Sequence, residues 1–111
     1  MTYSIIALPP FERELKRLSK KYPSIKGDFA VFIDQITKNP IQGTPIGKDC
    51  YKIRIAITSK QKGKSGGARI ITCMKLIKLK IYLLAIYDKS EKENISENEL
   101  DRLLKIIAET I

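Results

Sequence analysis

The sequence has 111 residues, with 21 basic and 12 acidic side chains, no histidine, two cysteines and 43% hydrophobic residues. That fits one globular domain over 1–111 and excludes a disordered chain. Without histidine there is no histidine-centred triad or histidine-ligated metal, and Cys50 and Cys73 are too few and too widely spaced for a disulfide framework or a four-ligand zinc site. The acidic residues form no evident metal-binding cluster, so no metal or cofactor is expected. No apolar run approaches the roughly 20 residues of a membrane span. The N-terminus lacks the basic-then-apolar order of a signal peptide. A cytoplasmic protein with no membrane partner is expected, with Cys73 a buried free thiol in an apolar run.

In chain order, residues 3–8 predict a short strand ended by Pro9-Pro10, since proline is tolerated at a helix start where its missing N–H would be unpaired anyway. Phe11, Leu15 and Leu18 follow at the spacing of one helical face. Lys20, Lys21 and Pro23 close that helix. A second begins near Ser24, with Ile25, Phe29, Phe32, Ile33 and Ile36 as its apolar stripe, and ends at Asn39-Pro40. Residues 41–50 read as a loop. From Tyr51 the period becomes two: Tyr51, Ile53, Ile55 and Ile57 alternate with Lys52, Arg54, Ala56 and Thr58. In a strand this puts Lys52 and Arg54 on one face, about 7 Å apart.

Residues 59–67 predict a mobile basic loop. Residues 68–74 and 79–87 predict two further strands joined by a tight connection around residues 75–78. Ser96 and Glu99 have capping-box spacing, Ile95 and Leu100 staple spacing, and Leu100, Leu103, Leu104, Ile107 and Ile111 form a buried stripe. The expected class is α+β, in the order β-α-α-β-β-β-α. A small antiparallel sheet would pack against two N-terminal helices and a C-terminal one.

Charge is concentrated. Residues 51–80 hold Lys52, Arg54, Lys60, Lys62, Lys64, Arg69, Lys75, Lys78 and Lys80 and no acidic residue, so the whole net charge of +9 sits there. Such one-signed charge costs self-repulsion that an anionic partner such as RNA relieves; the alternative is a solvated lysine-rich face. Gly63-Lys64-Ser65 matches the end of a phosphate-binding P-loop, but Thr58 stands where that motif needs glycine, and a strand follows. What remains is basic-residue chemistry on a phosphodiester. RNA cleavage by its own 2′-hydroxyl needs a base, charge stabilisation at phosphorus and an acid for the leaving 5′-oxygen. Lys52 beside Arg54 is placed to serve as base. The guanidinium fork of Arg69 or Arg54 suits the phosphate.

Three blocks carry a family resemblance: Tyr51-Lys52-Ile53-Arg54, then Gly63-Lys64-Ser65-Gly66-Gly67-Ala68-Arg69, then Ile86-Tyr87-Asp88-Lys89-Ser90-Glu91-Lys92 before a capped helix. With the element order, they make the chain resemble the RelE/ParE superfamily of type II toxins, closest to the RelE and HigB-like mRNA interferase branch. The resemblance implies a ribosome-dependent, metal-independent endoribonuclease that cuts mRNA, inhibits translation and arrests growth. It implies catalytic roles for Lys52, Arg54, Arg69 and Lys89, with Arg69 at the transition state and Lys89 an acid or phosphate clamp. Lys60, Lys62, Lys64, Lys75, Tyr87 and Lys92 are the expected RNA contacts; Tyr87 either stacks on a base or packs on the core. Several family members carry a tyrosine or histidine near the C-terminus that orients or activates the 2′-hydroxyl, and this chain has no histidine and no tyrosine after Tyr87.

The implied partners are the ribosome, mRNA and a cognate antitoxin with an acidic segment or a helix-turn-helix. Two alternatives stand beside this reading: a ParE-like DNA gyrase inhibitor, and a non-catalytic RNA- or ribosome-binding domain.

Overall fold

The computed structural model describes residues 3–75 and 78–109. Its elements are β1 (Ser4–Ala7), α1 (Pro9–Lys21), α2 (Ile25–Lys38), β2 (Thr44–Gly47), β3 (Cys50–Ile55), a 3₁₀ turn (Thr58–Lys60), β4 (Ala68–Lys75), β5 (Lys80–Asp88) and α3 (Glu97–Glu109). The expected order holds, with one strand added and Ile111 lying outside the described residues, as do residues 76 and 77 of the β4–β5 connection. No described helix is long and apolar enough to cross a membrane.

The sheet order is β1-β5-β4-β3-β2. Pairs β2–β3, β3–β4 and β4–β5 are antiparallel, whereas β1 joins β5 in parallel. The sheet is therefore mixed. After β1 the chain crosses one face through α1 and α2 and re-enters at the opposite edge as β2, and only that path decides which strand β1 meets. The added strand β2 lies in the stretch 41–50 expected to be a loop. It turns back onto β3 through Lys48 and Asp49, whose φ values of 58° and 62° are left-handed, the geometry that matches the twist of a two-residue hairpin. Pro45 is tolerated there because β2 is an edge strand.

Two cores flank the sheet. Phe11, Leu18, Ile25, Phe32 and Ile36 of α1 and α2 pack against Ile53, Ile55, Ile70, Ile81 and Leu83. On the other face Leu100, Leu103 and Ile107 of α3 pack against Cys50, Ile71, Cys73, Tyr82 and Leu84. Covered on both faces, β4 is buried from Ala68 to Met74. A register shift between Ile71 and Thr72 leaves Leu84 as the extra residue of β5. The bulge moves Tyr87 onto the α3 face and points Asp88 to the other.

Asp88 is the tether on that side. Its carboxylate accepts from Tyr22, from Lys60 Nζ at 2.9 Å and from the Ser90 N–H at 3.0 Å. Nearby, Glu91 accepts from Arg17 at 2.6 Å and Lys21 at 2.9 Å. The end of α1, the 3₁₀ turn and the end of β5 are thereby drawn together. At α3, the Glu99 N–H donates to Ser96 Oγ at 3.1 Å, but the Glu99 carboxylate binds Lys92 instead of reaching back, so only half of the expected capping box forms.

Candidate nucleic-acid interface

The basic residues of β3 and β4 meet in register. Arg54 is the Cα partner of Arg69, and Arg69 is the partner of Tyr87, so three strands place one row of side chains across the α3 face. Lys52, two residues along β3, faces the same side opposite Ile71. Two guanidinium groups on directly opposed positions repel each other. Neither Arg54 nor Arg69 has an ion-pair partner among the described residues.

Arg69 is the unusual member, being only 4% exposed. Its Nη1 donates to the Lys64 carbonyl at 2.9 Å and the Ala68 carbonyl at 3.1 Å, and its Nη2 to the Ser65 carbonyl at 3.4 Å. Burial, then the Arg54 cation, lowers its pKa, with Tyr87 acting weakly the other way. A guanidinium stays charged in proteins, so this is a buried cation compensated only by neutral carbonyls. Such a site favours an anion.

The local chain explains how Arg69 is held. Gly67 lies so close to β3 that a Cβ there would sit 2.1 Å from the Ile55 carbonyl oxygen. The Gly67 carbonyl accepts the Lys89 N–H at 3.0 Å. Pinned between β3 and the end of β5, Gly67 turns the carbonyls of residues 64 and 65 toward the guanidinium.

Around the row stand further groups. Lys52 Nζ donates to Asn94 Oδ1 at 3.0 Å. Lys92 pairs with Glu99 and lies over the Tyr87 ring, 5.6 Å from its centroid. Tyr87 is 4% exposed and belongs to the α3-side core. Of the two readings of Tyr87 it is therefore the packed one, and its ring offers no open face for a base. Its hydroxyl has no hydrogen-bond partner of normal geometry among the described residues. Burial pushes its pKa up, against smaller opposing effects of Arg69 and the Ile95 N–H, so it stays a neutral donor.

The other expected residues divide. Lys62 and Lys64 are exposed on the loop beside Arg69. Lys89 is half-buried, with Nζ 3.8 Å from Glu93 Oε1. Lys60 is not on this surface: its side chain is 11% exposed, paired with Asp88 and 5.2 Å from the Tyr22 ring centroid. An apolar-flanked carboxylate had to find a cation, and Lys60 is that cation. Lys75 ends β4 six residues beyond Arg69, about 20 Å along the strand, so it lies at the opposite end of the sheet.

The sequence alone does not show that Asn94, Glu99 and Asp88 are the partners of Lys52, Lys92 and Lys60. Asp88 did carry a signal, because it is the first acidic residue after Asp49 and closes a long apolar run. Among the described residues no group of three or more cysteine or acidic side chains could hold a metal ion.

Residues 12–111 match the family described as the RelE toxin of the RelE/RelB toxin–antitoxin system. Among solved structures, an arginine double mutant of Escherichia coli toxin RelE in the free state is similar, with 16% identity, a TM-score of 0.63 and coverage of 96% of this chain and 99% of that one. A chain of the intact E. coli RelBE toxin–antitoxin complex shares 13% identity at a TM-score of 0.59, covering 78% of this chain and 95% of that one. The Mycobacterium tuberculosis RelBE2 toxin–antitoxin complex also shares 13% identity, at a TM-score of 0.55, covering 79% and 99%. At these identities the structural likeness establishes the shared fold.

Proposed function

The chain belongs to the RelE toxin family and is the toxin of a type II toxin–antitoxin system, and from that premise we propose that it cuts mRNA on the ribosome. The observation that carries this reading is Arg69: a cation buried to 4% exposure, opposite Arg54, with only carbonyl oxygens as partners. A phosphodiester displaces the Lys64 and Ser65 carbonyls, because charge-assisted hydrogen bonds to phosphate are about twice as strong as neutral ones.

Arg54 and Arg69 then share the scissile phosphate and stabilise the charge that builds on it. Lys52, steadied by Asn94, takes the 2′-hydroxyl proton. The 2′-oxygen attacks phosphorus, and the 5′-oxygen leaves with a proton from Lys89, giving a 2′,3′-cyclic phosphate and a 5′-hydroxyl. The neutral Tyr87 hydroxyl packs behind Arg69. Lys62 and Lys64 hold flanking phosphates, while Lys92 reaches RNA once it parts from Glu99. The antitoxin covers this basic face with acidic residues, and the ribosome presents the mRNA.

Inducing the protein and mapping mRNA 5′ ends tests the reading. Cleaved, 5′-hydroxyl-ended transcripts are expected. Intact transcripts accompanied by DNA damage would instead favour gyrase inhibition, and intact transcripts with stalled ribosomes a binding role.

A further inference from the structure

Cys50 and Cys73 are Cα partners in the antiparallel ladder between β3 and β4. Both face α3 and are buried, at 1% and 0% exposure. The Met74 N–H donates to the Asp49 carbonyl at 3.0 Å, so residues 49 and 74 form a hydrogen-bonded pair. The next pair inward, Cys50 and Cys73, is therefore a non-hydrogen-bonded one. In such pairs the Cα atoms lie about 4.5 Å apart and the side chains are at their closest. That separation falls at the short end of the range of about 4.4–6.8 Å that a disulfide spans.

Each thiol perturbs the ionisation of the other, and the Cys50 thiol donates to the Lys48 carbonyl at 3.4 Å. Between the cysteines run residues 51–72, which carry Lys52, Arg54, Lys62, Lys64 and Arg69. Most of the basic site is thus a loop closed at its base by this pair.

We propose that Cys50 and Cys73 form a dithiol that hydrogen peroxide converts to a cross-strand disulfide, reversibly stapling β3 to β4 below the basic site. In the first step the Cys73 thiolate attacks a peroxide oxygen, the O–O bond breaks, and sulfenic acid and hydroxide result. In the second, the Cys50 sulfur attacks the Cys73 sulfur, the S–S bond forms, and the hydroxyl leaves as water with the Cys50 proton. The two thiols lose two electrons in total, and one peroxide becomes two waters.

The order follows from the contacts. The proximity of Cys50 lowers the pKa of Cys73, whereas the proximity of Cys73, then burial, pushes the Cys50 thiol up, so Cys73 ionises first. Peroxide would reach the pair by local opening of the short β2–β3 edge hairpin, in which Gly47 is the register partner of Cys50. Thiol–disulfide exchange with a small-molecule dithiol regenerates both thiols, which makes the staple reversible.

The test uses folded wild-type protein, independently of RNA cleavage. It is exposed to hydrogen peroxide, quenched, digested without reductant and analysed by mass spectrometry. The expected product is an intramolecular link between the Cys50 and Cys73 peptides that dithiothreitol removes. Two free thiols, at a dose that oxidises both in the urea-unfolded chain, would overturn the proposal. So would sulfinic acids without the link, or a link found only between two chains. In Cys50→Ala the Cys73 sulfenic acid is expected to accumulate, and in Cys73→Ala oxidation of Cys50 should slow about tenfold; equal rates would overturn the assigned order.

Discussion

Lys60 donates to Asp88 at 2.9 Å across 28 residues of chain, and the Asp88 carboxylate is fully buried. This ion pair fixes the start of the basic loop to the end of β5. Replacing Asp88 by Asn leaves Lys60 uncompensated and should cost about 3 kcal/mol, the usual effect of breaking a buried pair by removing one partner. Urea denaturation measures it. The pH dependence has a definite sign. Burial raises the Asp88 pKa, but the hydrogen bonds from Tyr22, Lys60 and Ser90 outweigh it and hold the group below the ordinary carboxylate range. Its contribution is therefore complete above the unfolded value of about 3.9 and fades as pH falls toward the lower folded value. The melting temperature of the wild type should drop more steeply below pH 4 than that of Asp88→Asn.

Gly67 and Gly27 make opposite predictions. A Cβ at Gly67 would meet the Ile55 carbonyl oxygen at 2.1 Å, whereas at Gly27, within α2, nothing lies within 4 Å. Gly67→Ala should destabilise by about 1–3 kcal/mol and displace the loop that holds Arg69. Gly27→Ala should stabilise by about 0.5–1 kcal/mol. Thermal melts of the two variants decide both.

The three helices were legible because each shows an apolar stripe with clear end signals, and the face shared by Lys52 and Arg54 followed from strand alternation. What the sequence concealed depends on long-range pairing. Strand β2 is four residues, two of them Pro45 and Gly47, and its hairpin uses Lys48 and Asp49 in left-handed conformation without the usual Asn-Gly or Asp-Gly signal. The parallel partner of β1 is set by the path of two helices. Lys60 read as one more member of a basic run, since its partner lies in another element. Asn94 beside Lys52 and Glu99 beside Lys92 were hidden for the same reason.

Lys60 and its loop neighbours should now behave differently. Lys62 and Lys64 are exposed, so a double change to Gln should weaken ribosome or RNA binding. It should also flatten the slope of log affinity against log salt by about 1.4, at about 0.7 per phosphate contact on a single strand. Lys60→Gln should leave that slope unchanged and lower the melting temperature instead. Titrations at several salt concentrations distinguish the two.

Asn94 orients Lys52 through a 3.0 Å hydrogen bond. In the proposed reaction Asn94→Ala should slow cleavage about tenfold, equivalent to about 1.4 kcal/mol, and Lys52→Ala should slow it more. The double variant should be no slower than Lys52→Ala, because Asn94 acts only through that lysine. Single-turnover rates on programmed ribosomes provide the comparison.

In the proposed reaction Arg69, a buried cation held by loop carbonyls, receives the scissile phosphate. The most direct measurement compares wild type and Arg69→Ala for mRNA cleavage on purified programmed ribosomes, with ribosome binding measured in parallel. Wild type should leave 5′-hydroxyl fragments, and Arg69→Ala should lose at least about 100-fold in rate while still binding. Cleavage by Arg69→Ala at the wild-type rate, or wild-type protein that binds programmed ribosomes and leaves the mRNA intact, would contradict it.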